Sequence, residues 1–167
     1  MIKAFQDYFP GNSCFGCGPH NTRGLHIKSY WRDETKKESI CIWHPKKYHA
    51  ASTPDIVHGG NIASLIDCHS IWTAAAWAYH LENRAFASEP IIWFVTARLD
   101  VRLLRPTPLK TEATVIVNTE EIKIYGKKTI LRAKLFADGL LCAVGKVTAV
   151  KIDYDTETIA KLSHRPE

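Results

Sequence analysis

At 167 residues the chain has room for one domain with a sizeable core, and 46% hydrophobic against 23% charged residues is the balance of an ordinary globular protein. The net charge of +5 contains no run of five Lys or Arg, so it leaves no footprint for nucleic acid, although scattered positive charge suits an anionic small ligand. Five cysteines without framework spacing favour reduced thiols and a cytoplasmic location, the first residues lack a signal-peptide pattern, and the most apolar segment carries too many polar residues for a membrane span.

Residues 1–11 read as a short amphipathic lead-in closed by Pro10-Gly11, and Asn12 to Gly24 as a loop rich in Gly, Asn, Pro and Ser. Cys14-x-x-Cys17, with His20 and His26 nearby, raises the question of zinc. Four ligands within thirteen residues leave little chain for tetrahedral closure, and no second C-x-x-C follows. The expectation is a structural loop without metal, its thiols packing as small apolar groups. Gly24 to Asp33 and Ser39 to Trp43 alternate as two antiparallel strands joined by the charged turn Arg32 to Glu38. Lys46 to Ile56 is irregular and leads to the helix entrance, where it is placed to line or gate a site.

The most informative stretch is Val57-His58-Gly59-Gly60-Asn61 and the run that follows, to about Tyr79. Ile62, Leu65, Ile66, His69, Trp72, Thr73 and Ala76 recur at three- and four-residue steps, which predicts a helix buried on most sides. Asp67 is its one formally charged residue, on a line of small residues with Ala63, Ser70 and Ala74. A carboxylate there is either satisfied by internal hydrogen bonds or chemically used. The His58-Gly59-Gly60 entrance offers unpaired N–H groups and the positive end of the helix dipole to an oxyanion. Asp67 lies about 12 Å further along the axis, too far to serve the same carbonyl. A symmetric dimer resolves this by bringing Asp67 of one chain to the entrance of the other.

Ile91 to Leu104 forms a long strand with Ile91, Trp93, Val95, Ala97, Leu99, Val101 and Leu103 on one face and Thr96, Arg98, Asp100 and Arg102 on the other. Thr111 to Ile124, Thr129 to Phe136 and Leu140 to Ile152 supply further strands, with Tyr125 to Lys128 and Asp138-Gly139 as turns. The tail, 153–167, is expected to form a short helix. Two strands, one buried helix and then more strands indicate an α+β fold in a single domain spanning 1–167, with 1–23 as lead-in and loop.

His58-Gly59-Gly60 followed by Leu65-x-Asp67 resembles the HGG-x-x-x-x-L-x-D signature of hotdog-fold acyl-CoA thioesterases, the phenylacetic-acid-pathway type in particular. Cys14-x-x-Cys17-Gly18-x-x-Asn21-x-x-Gly24-Leu25 and Thr96-Ala97-Arg98-Leu99-Asp100-Val101-x-x-Leu104-Arg105-Pro106 extend the resemblance from about Asn12 to Ile152. It implies a curled antiparallel sheet of about six strands around one long central helix. It also implies hydrolysis of an acyl-CoA to acid and CoA, without cofactor, in a homodimer or homotetramer with its sites between subunits.

By that resemblance the Gly59 N–H is the oxyanion donor, and Asp67 acts as general base on water or as nucleophile. His58 either supports the turn or contacts the thioester, Gly60 completes the entrance, and Ser70 positions water or the carboxylate unless it bonds to backbone. Cys68 is expected in the core. Arg98, Arg102 and Arg105 are candidates for the CoA phosphates, which planar guanidinium groups match well, and Asn61 for substrate contact. Asn61 departs from the family pattern, where an apolar residue is common, and Asp55 replaces a frequent glycine. Two other readings remain on the same fold, a non-catalytic acyl-CoA sensor and a CoA-linked dehydratase. No nucleic acid or membrane partner is expected.

Overall fold

The structure, a computed structural model, describes residues 3–163. One helix, α1 (Gly59–Leu81), packs along a seven-stranded antiparallel sheet: β1 (Tyr30–Trp31), β2 (Glu38–Trp43), β3 (Trp93–Leu103), β4 (Ala113–Asn118), β5 (Lys123–Tyr125), β6 (Lys128–Ala137) and β7 (Leu140–Ile152). The order across the sheet is β1-β2-β4-β6-β7-β3, with β5 added to β6. The sheet does not close into a barrel, so β3 is a free edge. A short α2 (Thr156–Ser163) follows; the rest of the expected tail helix region, 164–167, and the first two residues of the lead-in lie outside the described residues. No helix among the described residues is long and apolar enough to cross a membrane.

The buried helix is as the periodicity predicts, longer by about a turn at the entrance. Ile62, Leu65, Ile66, Trp72 and Ala74 to Ala76 pack into the core. At Gly145 of β7 a Cβ would lie 2.3 Å from Ile66 Cγ2, so the helix reaches the sheet there only because the residue is glycine. The helix closes on Asn83, which takes a positive φ of 51°, while Arg84 N–H donates to Tyr79 O at 2.9 Å. A polar network ties the helix to the rest: fully buried His69 meets Ser39 Oγ at 3.0 Å and Ser29 Oγ at 2.9 Å.

Three expectations are corrected. Gly24 to Asp33 is not a strand throughout: Leu25 and Ile27 donate to Phe15 O and Gly16 O of the N-terminal loop, His26 takes φ 52°, and only Tyr30–Trp31 pairs with β2. Thr111 to Ile124 is not one strand. β4 ends at Asn118, whose side chain accepts from Glu120 N–H and starts a tight turn over Thr119–Glu121, and β5 then pairs with β6. This gives seven strands where about six are expected.

The third correction lies in β3. Thr96 stands opposite Ala149 of β7 but Arg98 opposite Thr148, so Ala97 is an extra residue in a β-bulge. A bulge exchanges the two faces of a strand. Before it Ile92, Phe94 and Thr96 face the helix side; after it Leu99, Val101 and Leu103 do, opposite Val147, Gly145 and Ala143. The expected set holds for the second half of the strand; in the first half Phe94 and Thr96 take the helix side instead, while Trp93 at the strand start still packs on Trp72 of the helix.

Candidate functional site

Asp67 lines a cavity of about 220 Å³ between α1, the first half of β3 and the N-terminal loop. Ile71, Trp72 and Ala75 form the helix wall, Ile92 to Thr96 the strand wall, and Asn12, Cys14 and Cys17 the loop wall. Most of this lining is apolar, and Asp67 is its one carboxylate. Thr96 Oγ1 donates to Asp67 Oδ1 at 2.5 Å, a contact the bulge at Ala97 makes available by turning Thr96 inward. Burial pushes the Asp67 carboxyl above its ordinary value, the Thr96 hydrogen bond opposes that, and the charge at Cys14 adds to the rise.

The helix entrance is a separate place on the surface. His58 caps it, its Nδ1 accepting from Gly60 N–H at 3.1 Å, and the Asn61 and Ile62 N–H groups return to His58 O. Among the hydrogen bonds of the described residues, Gly59 N–H makes none. The His58 bond to Gly60 N–H braces the turn at the entrance. Leu103, at the far end of β3, reaches to 3.1 Å of where a Gly59 Cβ would stand. Asn61 Nδ2 donates to His49 O at 3.2 Å and so fastens the preceding loop to the helix.

Several candidate residues do not meet Asp67 within one chain. Ser70 is fully buried, is not part of the cavity wall, and its Oγ has no hydrogen-bond partner. Its place on the Asp67 stripe is real in sequence, but the helix turns it into the core. Arg98 and Arg102 stand on the outer face of β3, opposite Thr148 and Val144, and Arg98 Nε donates to Asp100 Oδ2 at 2.8 Å. Arg105 Nη1 donates to Leu141 O at 2.9 Å beside the helix entrance. None of the three lines the Asp67 cavity.

Two contributions are invisible at the level of sequence. Thr96 is one, since strand alternation alone assigns it to the opposite face. Cys68 is the other. Buried in the core as expected, it also lines the cavity beside Asp67, and its Sγ lies 3.9 Å from Cys14 Sγ. Cys14, Cys17 and Cys68 converge with their sulfurs all within 4.8 Å of one another, while His20 and His26 are exposed and stand apart. Hydrogen bonds from Cys17 and then Cys68 pull the Cys14 thiol down, and the same sharing pushes Cys17 and Cys68 up. No other His, Cys, Asp or Glu cluster among the described residues has metal-ligand spacing.

No protein-family model and no curated protein matches the chain. Solved structures do. A thioesterase superfamily protein of Shewanella loihica is 36% identical over 76% of this chain and 91% of its own, with a TM-score of 0.58. The PaaI protein from the phenylacetic acid degradation operon of E. coli is 13% identical over 77% of this chain and 81% of its own, at 0.59. A thioesterase of Haemophilus influenzae is 14% identical over 77% and 80%, at 0.61. The last two speak for the fold alone, which they share: one long helix against one antiparallel sheet, the hotdog architecture. At 36% identity across nearly the whole of its Shewanella loihica relative, the chain belongs to the thioesterase superfamily.

Proposed function

We propose that the protein hydrolyses acyl-CoA thioesters in a site shared by two copies of the chain. Asp67 acts as general base or nucleophile, and the free Gly59 N–H of the other copy receives the oxyanion. The observation that carries this reading is the layout of β3. Thr96, beside Asp67, and Leu103, beside Gly59, sit near opposite ends of an unpaired edge strand. Antiparallel pairing of β3 with its own copy about Asp100, with Ala97 bulged out of the ladder, sets Thr96 across from Leu103 of the second copy. Each Asp67 then approaches the other chain's helix entrance, closing the gap of about 12 Å that separates them along one helix. Exposed Leu99, Leu103 and Leu104 on or next to that edge gain cover in the same step.

The acyl group occupies the cavity beside Asp67, whose aromatic walls, Trp72 and Trp93 at 5.5 Å between rings and Phe94, suit a compact apolar chain or an aryl group. Arg98 and Arg102, exposed near the middle of the pairing edge, and Arg105 near the entrance serve the CoA phosphates outside the acyl cavity. A homodimer, alone or paired into a tetramer, follows from the shared site. The odd number of cysteines, all free thiols, supports a cytoplasmic setting.

The test is a panel of acyl-CoAs offered to the purified protein with a free-thiol readout. Thiol release that Asp67→Asn abolishes is the expected result. Tight binding without release would make the protein a sensor, and hydration of an enoyl-CoA would make it a dehydratase; either result sinks the hydrolase reading.

A further inference from the structure

We propose that Cys14, Cys17 and Cys68 hold a zinc ion, which staples the N-terminal loop to α1 at the wall of the Asp67 cavity. Three thiolates on one tetrahedral zinc at about 2.3 Å stand about 3.8 Å from one another. Cys14 and Cys68 are 3.9 Å apart, and all three sulfurs lie within 4.8 Å. The difficulty with a loop site, too little chain between ligands for closure, disappears because the third ligand comes from a helix 51 positions after Cys17. Thiolate donors without carboxylate or imidazole select a thiophilic ion, and zinc accepts three such ligands with an open fourth position.

The surroundings fit a built site. Gly16 lies so close to Cys68 that a Cβ there would stand 2.4 Å from the sulfur, so the glycine makes the room in which the helix thiol meets the loop. Gly18 is equally confined: a Cβ would fall 2.3 Å from Asn12 O and 2.4 Å from Cys14 N, which holds the Cys14-to-Cys17 turn tight. Trp72 Nε1–H donates to Cys17 Sγ at 3.1 Å, a partner that orients a sulfur ligand and stabilises it as thiolate. Cys14 is the partly exposed member and gives an ion a way in. No fourth ligand joins the group among the described residues, so the open position is left to a water on the cavity side.

Zinc binding by these three cysteines is independent of thioester turnover and is measured without it. Protein purified under reducing conditions with zinc supplied should carry about one zinc per chain. In the wild-type chain Cys14 should resist alkylation until a chelator is added, and cobalt substitution should give a sulfur-to-cobalt charge-transfer band. Cys14→Ser and Cys68→Ser should each weaken zinc binding by more than the ten- to hundredfold that loss of an outer partner costs. Cys142→Ser, whose sulfur lies outside the cluster beside Pro106 O, should bind normally. A zinc-free protein with a freely alkylated Cys14, a disulfide between any two of the three cysteines, or another metal in zinc's place would overturn the proposal. The wild-type measurements decide even where a serine variant fails to fold.

Discussion

Thr96 Oγ1 donates to Asp67 Oδ1 at 2.5 Å, and this bond joins the edge strand to the helix at the head of a largely apolar cavity. It exists because a single extra residue, Ala97, turns the start of β3 over. The hydroxyl holds the carboxylate in one orientation and favours its charged form. Thr96→Val, which keeps the shape and removes the donor, should lower kcat about tenfold, the lower end of what a hydrogen bond to a charged group carries, about 1.5 kcal/mol. Thr96→Ser should restore most of it. Equal activity of the valine and serine variants would remove Thr96 from the mechanism.

Asp67→Asn should lower thioester turnover by at least about a hundredfold with the fold intact by circular dichroism, since general-base catalysis contributes roughly 10²–10⁴. Near-wild-type turnover would make Asp67 a structural residue.

The free edge of β3 predicts assembly. Light scattering should give a dimer or a dimer of dimers, and dilution to monomer should abolish turnover, because neither chain alone brings Asp67 to a Gly59 N–H. A fully active monomer contradicts the shared site.

Arg98→Ala and Arg102→Ala should each raise KM for acyl-CoA more than they lower kcat, the pattern of binding energy spent equally on ground and transition states. The effect should shrink on a truncated thioester that lacks the nucleotide phosphates. The same loss on both substrates would assign the arginines to folding or assembly. Arg98 is the stricter case, since Asp100 already pairs with it.

His69 makes stability sensitive to acid. Its complete burial lowers its pKa from 6.5 to about 4, and its partners Ser29 and Ser39 are uncharged. The folded state therefore disfavours the charged ring. The stability it contributes is fully present above the unfolded value of 6.5 and is lost as pH falls from there toward 4, by roughly tenfold in the folding equilibrium per pH unit. Denaturant titrations across that window should show the slope, and His69→Gln should flatten it. An unchanged slope in the variant would assign the acid sensitivity to other groups.

The features legible along the chain rest on short-range physics. The α1 pattern is legible because burial of a helix repeats every three to four residues, and Ile62, Leu65, Ile66, Trp72 and Ala76 obey that repeat whatever packs against them. The Asp138-Gly139 turn is legible for a similar reason: both residues take positive φ, 51° and 71°, in a two-residue hairpin between Ala137 and Leu140. The stand-out residues of the entrance and of Asp67 were visible because a carboxylate on an apolar helix and paired glycines before it break the local rule.

Which of these residues meet depends on contacts between elements. Leu25 and Ile27 alternate like a strand, yet their N–H groups go to the loop carbonyls of Phe15 and Gly16, a choice made by segments ten or more positions apart. Ser70 shares a stripe with Asp67, yet it is fully buried and lies outside the cavity wall. The bulge at Ala97 comes from pairing with β7, so the face Thr96 presents cannot be read from β3 alone. Cys14 and Cys68 are 54 positions apart and meet because Gly16 lets the loop lie on the helix. Periodicity records how one element meets its surroundings on average; register, bulges and close approaches are properties of pairs of elements, and the site is made of those.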